Sequence, residues 1–280
     1  MPFLELFDET LDINSTENYE LSVQVSYDGL SYSILDTLRN KFILLRDYEP
    51  DDNGYLDDGK IGEIIAKDDF LTRRYKKINL ITPSPGSTLV PSALFDDSKK
   101  EDFFTFNQIS REGEIIATNL LPDPDAVIIF SLPGSTSELL KGFFPKSDYS
   151  HQLKPLFQYI VGNRRTAGQY YIHVHLERGF FNLIIFDQNA LEFCNTFHYK
   201  TISDIQYYVF YVLKRMNISQ DEVIYFSGRT NGSREIITGF SDFMKSIRFA
   251  GPAGNFTFSY VFNDTDLHRF LNLFSVTGCE

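Results

Sequence analysis

Two stretches of this sequence share one pattern, three short strands joined by tight turns. Residues 168–200 repeat the arrangement of residues 20–48. In each stretch the first strand alternates apolar and polar side chains, the period of two expected when a strand has unlike faces. That strand ends at Asp28-Gly29 in one stretch and at Arg178-Gly179 in the other, and glycine readily adopts the backbone conformation of a tight turn. The repeat predicts an internal duplication, and therefore two lobes of similar topology.

The segments that follow each triplet also correspond. In each half, apolar residues at helical spacing lead into a strand, a further helix follows, and a later strand and helix complete the half. The matched segments are 59–72 and 201–216 (helices), 77–82 and 222–226 (strands), 127–130 and 245–249 (strands), and 151–161 and 264–274 (helices). The sequence thus predicts an α/β fold in which each half follows the order β-β-β-α-β-α-β-α.

This order of elements is that of the ribonuclease H-like unit, and two such units in tandem resemble the actin-like ATPase superfamily. More narrowly, the whole sequence resembles an uncharacterised, Bacteroidetes-type family of domains of unknown function. The resemblance implies two tandem ribonuclease H-like domains, each with a mixed five-stranded sheet. We expect the first lobe at residues 1–164, with an inserted segment at about 82–125, and the second lobe at residues 165–280. In relatives of this architecture, such an insert is often where partners bind.

Charge and composition restrict the classes of function. The chain has 280 residues, and its hydrophobic content of 42% and charged content of 23% are typical of a soluble globular protein. A net charge of -12 opposes the phosphate backbone, so we expect no nucleic-acid partner. The sequence has no apolar run long enough to span a bilayer, and its acidic N-terminal residues are unlike a signal peptide. These features predict a cytoplasmic protein without a membrane span.

The two hairpin turns correspond in position to the phosphate-binding turns of actin-like ATPases. Actin-like ATPases hold ATP phosphates between two such turns, each an acidic residue, a spacer and a glycine followed by hydroxyl residues. The resemblance places Asp28, Gly29 and Ser31 in the first turn, which lacks the spacer. It places Glu177 and Gly179 in the second turn, where two phenylalanines replace the hydroxyl residues. Both turns therefore depart from the pattern of the superfamily.

A third element of the superfamily is a glycine turn against which the adenosine packs. The sequence has Ser227-Gly228 and then Asn231-Gly232 at the corresponding place, with a serine where the first glycine would stand. A glycine turn that opens a helix can cradle a phosphate or simply join a strand to a helix. With the two hairpin turns, these residues form the predicted site for ATP and magnesium.

Two functions remain open at this point. Because Phe180 and Phe181 would crowd a triphosphate, we favour a scaffold or interaction protein without robust ATPase activity. It would bind an unidentified protein partner through the inserted segment. The alternative is an ATP-binding ATPase or kinase-like enzyme that uses the cleft between the lobes. In that enzyme Asp28 and Glu177 would be catalytic, since an acidic residue at each turn helps to position the metal and the attacking water.

A metal site is a third hypothesis. His173, His175 and Glu177 lie two residues apart along one predicted strand, so their side chains share a face. Imidazole and carboxylate groups are common ligands of transition metals. Neighbours on that face are about 7 Å apart, so a site would need a further ligand from an adjoining strand. The competing interpretation is that the two histidines are hydrogen-bonded packing residues.

Overall fold

A computed structural model describes residues 1–26, 28–50, 54–164, 168–229, 233–251 and 256–278. By their contacts these residues divide into two units. The first unit comprises the described residues of the ranges 1–155, 254–265 and 272–280, and the second those of 156–253 and 266–271. No sequence pattern indicated that C-terminal residues group with the first unit. The lobe boundary between residues 164 and 165 remains a prediction.

Strands and helices follow one another along both units. The strands are β1 (Leu4–Phe7), β2 (Tyr19–Ser26), β3 (Gly29–Asp36), β4 (Lys41–Tyr48), β5 (Lys77–Ile81), β6 (Ser87–Pro91), β7 (Glu114–Leu121), β8 (Ala126–Pro133), β9 (Tyr149–Ser150), β10 (Tyr171–Glu177), β11 (Phe180–Phe186), β12 (Leu191–His198), β13 (Val223–Gly228), β14 (Ser246–Phe249) and β15 (Thr257–Phe258). The α-helices are α1 (Asp58–Lys67), α2 (Lys100–Asn107), α3 (Gly134–Phe143), α4 (Leu153–Asn163), α5 (Ile202–Arg215), α6 (Ser233–Phe240) and α7 (Leu271–Ser275).

The main sheet of the first unit has the spatial order β1-β4-β3-β2-β5-β9. Strands β2, β3 and β4 are antiparallel neighbours, whereas β5 and β9 run parallel to β2. A seventh strand, β15, pairs with the start of β4 and brings Phe258 against Phe42, with ring centroids 5.1 Å apart. Phe274 also contacts Phe42, at 4.8 Å. The C-terminal segment therefore contributes to the core of the first unit.

The inserted segment forms a sheet of its own. Strands β6, β8 and β7 are antiparallel in that spatial order. Helix α2 covers one face, where Phe104 is fully buried against Val90, Val127 and Ile129. The insert thus has a small core made from residues distant in the sequence.

The strand predicted at residues 127–130 is misplaced in the sequence analysis. It lies within β8, at the centre of the inserted sheet, and not in the main sheet. The equivalent of residues 245–249 is instead β9, which has only two residues and pairs with β5. The apolar run of β8 is typical of any central strand, so the sequence did not show to which sheet it belongs. A strand as short as β9 leaves no periodic signal.

The second unit repeats the central order of the first. Its sheet has the order β12-β11-β10-β13-β14, in which β10, β11 and β12 are antiparallel neighbours and β13 and β14 run parallel to β10. One face carries an apolar core beneath α5 and α6, with Ile172, Val174 and Leu176 of β10 at its centre. The alternate residues of β10, Tyr171 to Glu177, are equally buried but polar on the opposite face. The predicted five-stranded arrangement is therefore the whole sheet of the second unit and the central part, β4-β3-β2-β5-β9, of the seven-stranded sheet of the first.

Candidate functional site

The turn between β2 and β3 contains the first predicted acidic residue. Asp28 is buried, and the Ser26 hydroxyl donates a hydrogen bond to its Oδ1 atom. The same hydroxyl lies 3.3 Å from the carbonyl oxygen of Gly29, which starts β3 opposite Ser26. Asp28 is thus held by the last residue of the preceding strand, a partner that the sequence analysis did not identify.

Ser31, whose hydroxyl is predicted to contact phosphate, lies on β3 two residues after Gly29. Its side chain is buried and donates to Oδ1 of Asp47 at 2.5 Å. The two residues face one another across the β3–β4 ladder, and Asp47 is fully buried. A charge-assisted hydrogen bond of this kind is about twice as strong as a neutral one. The hydroxyl proton of Ser31 is therefore committed to a carboxylate of its own sheet.

The turn between β10 and β11 contains the second acidic residue. Glu177 ends β10 and is buried, and Gly179 has a φ of 80°, which the tight turn requires. Both phenylalanines that follow belong to β11. Phe181 is fully buried in the apolar core beneath the helices, and Phe180 is buried on the opposite face. These two rings anchor the turn to the second unit.

A continuous chain of hydrogen bonds joins the polar side chains of β10 to β13. The Ser227 hydroxyl oxygen lies 2.7 Å from Nε2 of His173 and 2.7 Å from Nδ1 of His175. His175 Nε2 in turn lies 3.2 Å from Oε1 of Glu177. All four side chains are almost completely buried. The parallel register that places His175 beside Ser227 creates this chain.

The chemistry of the groups sets the direction of these hydrogen bonds. A carboxylate only accepts, so Nε2 of His175 donates to Glu177. The Ser227 hydroxyl lies between Nδ1 of His175 and Nε2 of His173, and it can donate to one ring nitrogen while it accepts from the other. Burial, together with the neighbouring His175, holds the pKa of His173 well below its usual value, which keeps that ring neutral. The chain is therefore a buried network of hydrogen bonds that links β10 to Ser227 of β13 and ends at Glu177.

Aromatic side chains continue this polar face beyond His173. Tyr171 and Tyr225 stack with ring centroids 4.5 Å apart, and Tyr171 also stacks on His173 at 6.0 Å. Tyr159 of α4 meets the His173 ring edge-on at 6.1 Å. Burial raises the pKa of Tyr159 to about 12. No sequence pattern assigned these three tyrosines to the site, although the alternation along β10 already placed Tyr171 on the face of His173.

The structure places the three predicted metal ligands side by side, but their side chains hydrogen-bond to Ser227 or to one another. His173 and His175 both direct a ring nitrogen at the same hydroxyl, and Glu177 receives the other nitrogen of His175. Within the described ranges, no group of three or more His, Cys, Asp or Glu side chains is arranged to hold a metal ion. A metal at His173, His175 and Glu177 remains a hypothesis from the sequence.

Gly228 has a structural reason to be glycine. Its φ is 85°, and a Cβ atom at this position would lie 2.1 Å from the carbonyl oxygen of Leu176. The next residue, Arg229, donates its backbone N–H to that same oxygen at 2.7 Å. The glycine thus allows β13 to approach β10 where both strands end. Asn231 and Gly232, the other two residues of the predicted adenosine turn, lie outside the described residues.

A surface groove of about 670 Å³ lies elsewhere in the first unit. It is lined by residues at and after the end of α1, among them Lys67, Asp69, Arg73 and Arg74. Asp28, Gly29 and Ser31 do not belong to this lining. This groove is thus separate from the residues predicted to contact phosphate.

The two sheets together define a class of protein. Two ribonuclease H-like units in tandem, the first carrying an inserted sheet, form the actin-like ATPase fold. The chain belongs to the family described as "Protein of unknown function (DUF3822)", whose pattern it matches over residues 8–247. The family expected from the sequence is therefore confirmed.

Solved structures agree with this assignment of the fold. A Bacteroides thetaiotaomicron VPI-5482 protein with actin-like ATPase fold and unknown function is 25% identical, with a TM-score of 0.78 over 86% of this chain and 93% of that one. A PilM-PilN type IV pilus biogenesis complex contains a chain that is 11% identical, with a TM-score of 0.63 over 93% of this chain and 98% of that one. No functionally curated protein matches the sequence. In the described part of the chain, no helix is both long and apolar enough to cross a bilayer.

Proposed function

We propose that this protein is an actin-like scaffold that binds a partner protein through its inserted sheet and lacks robust ATPase activity. The observation that carries the proposal is the concentration of exposed apolar side chains on residues 92–121. Leu94, Phe106, Ile109 and Leu120 are exposed by 68%, 87%, 87% and 59%. Apolar groups that concentrate on one small subdomain are typical of a surface for protein contact.

The inserted sheet has a packed core of its own, and these exposed side chains lie outside it. On α2, Phe104 is fully buried while Phe106, two residues later, points to solvent. Leu120 lies on β7, an edge strand, directly opposite Val127 of β8. It therefore shares a face with Val127, the face that α2 covers in part. The edge of β7 and the exposed side chains together form what we call the insert surface, Leu94, Phe106, Ile109 and Leu120.

Charge indicates the chemistry of the partner. Residues 92–125 contain eight acidic and three basic side chains, a net charge of -5. A partner segment that combines apolar anchors with lysine or arginine would match both properties. The structural neighbour from the PilM-PilN type IV pilus biogenesis complex belongs to a protein assembly, which supports a protein partner for this chain.

Three features argue against a triphosphate at the predicted turns. The Ser31 hydroxyl donates to Asp47, which removes a donor from the first turn. In the second turn, Phe180 and Phe181 occupy the positions where the superfamily has hydroxyl residues. Gly228 is accounted for by the close approach of β13 to Leu176, so its presence does not require a nucleotide. These residues do not fit the phosphate-binding role.

The experiment compares partner recovery by matched variants of the full chain. Phe106→Glu and Leu120→Glu introduce a charge on the insert surface, whereas Leu38→Glu does the same at an exposed turn residue of the first unit. Each protein is cross-linked in native lysate, and the attached proteins are quantified by mass spectrometry. We expect one partner to be recovered with the unmodified chain and with Leu38→Glu, and to be depleted with both insert variants. Equal recovery with all four proteins would refute the proposal.

The second candidate function is ATP hydrolysis with Asp28 and Glu177 as acidic residues. Its support is that both turns keep a buried acidic residue in the expected place. Purified protein should then release phosphate from ATP with magnesium, and Asp28→Ala should abolish that release. This outcome would overturn the scaffold proposal, while an activity equal in both proteins would come from a contaminant.

A further inference from the structure

One side chain of the insert binds the outer edge of the main sheet in the first unit. Strand β9 ends the spatial order of that sheet and pairs with β5. On the opposite side of β9 lie the carbonyl oxygen of Tyr149 and the N–H of His151. Asn119 of β7 binds both groups: Nδ2 donates to the Tyr149 oxygen at 2.8 Å, and Oδ1 accepts from the His151 N–H at 2.7 Å. A side-chain amide thus makes the two hydrogen bonds that a further strand would make at this edge.

The residues that follow β9 bind the segment that leads into the insert. The side chain of Gln152 accepts from the Ser84 N–H and donates to the Ser84 carbonyl oxygen, both at 3.0 Å. Nε2 of His151 donates to the same oxygen, also at 3.0 Å. The His151 ring packs on Phe130 of β8, with ring centroids 5.0 Å apart. Residues 149–152 therefore contact the insert at its entry, at its central strand β8 and at its edge strand β7.

These polar contacts are shielded from water. His151 and Gln152 are fully buried, and Asn119 and Ser84 are each exposed by 8%. Burial lowers the pKa of His151 to about 3, so the ring is neutral under physiological conditions. A buried polar group that loses its partner is costly, because water does not replace the lost hydrogen bond. The insert is therefore held in one position by bonds that each depend on the others.

The residue after Asn119 belongs to the insert surface. Side chains alternate along a strand, so Asn119 faces β9 while Leu120, exposed by 59%, faces solvent. We propose that Asn119, Ser84, His151 and Gln152 form a latch that fixes the inserted sheet on the main sheet, with Asn119 as the positioning residue of the insert surface. This inference rests on the proposed partner contact. A surface that is already in place loses less conformational freedom on binding, and so binds its partner more tightly.

Amide hydrogen exchange of the full-length protein, followed by NMR, tests the latch without any partner. Asn119→Ala removes the bonds to residues 149–151 but not those between Gln152 and Ser84. If the latch acts as a unit, exchange of the Ser84 N–H should rise at least about tenfold together with that of His151. Faster exchange at His151 with an unchanged rate at Ser84 would overturn the latch.

A matched control and a reciprocal variant complete this experiment. Asn79, on β5 of the same unit, is also exposed by 8% and binds Ser22 within the main sheet. Asn79→Ala should therefore leave the exchange of the Ser84 N–H as it is in the unmodified chain. Gln152→Ala breaks the latch at its other end and should raise exchange of the His151 N–H. Equal rises at Ser84 in the Asn79 and Asn119 variants would mean that general destabilisation, and not the latch, is responsible.

Partner recovery tests the positioning role. In the cross-linking assay in native lysate, Asn119→Ala should deplete the partner at least about threefold although the insert surface itself is unchanged. Asn79→Ala should recover the partner like the unmodified chain. Full recovery with Asn119→Ala, beside depletion with Leu120→Glu, would refute the positioning role and leave the proposed function standing. If Leu120→Glu does not deplete the partner either, the proposed function is wrong, and with it the positioning role, whereas the exchange rates still decide the latch.

Discussion

The hairpin of the first unit and the hairpin of the second differ in the chemistry of their buried polar groups. Beside the β2–β3 turn, hydroxyl groups of Ser26 and Ser31 donate to the carboxylates of Asp28 and Asp47. Beside the β10–β11 turn, one hydroxyl, that of Ser227, joins two imidazoles that end at Glu177. The backbone arrangement is the same in both units, but the side-chain chemistry is not. A duplicated fold therefore preserves strand order more strictly than the groups at its turns.

The largest effect that we expect distinguishes two glycines of the second unit. Gly228 and Gly179 both have a positive φ, but a Cβ at Gly228 would overlap Leu176, whereas nothing lies within 4 Å of one at Gly179. We expect Gly228→Ala to lower the free energy of unfolding by about 3 to 5 kcal/mol, from strain and overlap together. Gly179→Ala should cost about 1 kcal/mol.

Urea unfolding of both glycine variants measures this difference. Equal losses would mean that the approach of β13 to β10 is looser than the structure indicates. The result also decides how Gly228 variants can be used. A valine at this position would weaken ATP binding by disturbing the fold, so it does not test for a nucleotide site.

The next effect compares the hydroxyl groups of the two hairpins. Ser227→Ala removes the partner of two buried imidazole nitrogens, and we expect it to cost about 2 to 3 kcal/mol of unfolding free energy. Ser31→Ala removes one donor to Asp47 and should cost about 1 to 2 kcal/mol. Both losses are measurable by chemical denaturation at neutral pH. A greater loss for Ser31→Ala would contradict the view that Ser227 organises its site.

A third effect concerns pH. Because the pKa of His173 is well below its usual value in the folded protein, the unfolded chain binds a proton below about pH 6.5 that the folded protein does not. The contribution of His173 to stability is therefore complete above that pH and decreases as the pH falls, by up to about 1.4 kcal/mol per pH unit. His173→Gln should remove this part of the slope, and Ser31→Ala should leave it in place. Unfolding free energies at about pH 7.5, 6.5 and 5.5 test both statements.

A second histidine also contributes to the dependence of the unfolding free energy on pH. Burial lowers the pKa of His151, in the first unit, to about 3, so it contributes a slope of the same sign. His151 donates a hydrogen bond from Nε2 to the Ser84 carbonyl oxygen at 3.0 Å, because a carbonyl oxygen only accepts. The His173→Gln variant should therefore still lose stability on acidification, but less steeply than the unmodified protein. An unchanged slope in that variant would contradict the role given to His173.

The smallest effect that we expect is the response to nucleotide. A ligand at about a hundred times its dissociation constant adds about 2.7 kcal/mol, which moves the Tm of a chain of this size by several degrees. Because neither hairpin presents a set of hydroxyl donors to a phosphate, millimolar ATP with magnesium should move the Tm by less than about 1 °C. A shift of several degrees that Asp28→Asn removes would restore the ATPase hypothesis.

The sequence predicted the parts of this fold that have local signals. The triplets were recognisable because alternation and a glycine turn occur together at Asp28-Gly29 and Arg178-Gly179. The fifth strand of the first sheet was not recognisable from the sequence. Its strand β9 has only two residues, and the long apolar strand β8 belongs to the inserted sheet. Which strand joins which sheet depends on contacts between distant residues, and periodicity does not report these.

The same limit applies to the sites. Alternation along β10 correctly placed His173, His175 and Glu177 on one face. It did not show that Ser227 lies between the two imidazoles, because the register of the parallel β10–β13 pair is set by tertiary packing. Likewise Ser31 was found but its acceptor, Asp47, was not. Patterns within a strand are readable from sequence, whereas the partner across the ladder is not.

The packing of the C-terminal segment on the first unit has a consequence for biosynthesis. Phe42 is covered by Phe258 and Phe274, which are synthesised more than two hundred residues later. At translation rates of about 5 to 20 residues per second, the N-terminal sheet leaves the ribosome many seconds before these rings exist. The second unit, most of which is continuous in sequence, is then complete before the first. Nascent chains halted before Thr257 should expose Phe42 and be the species that chaperones retain.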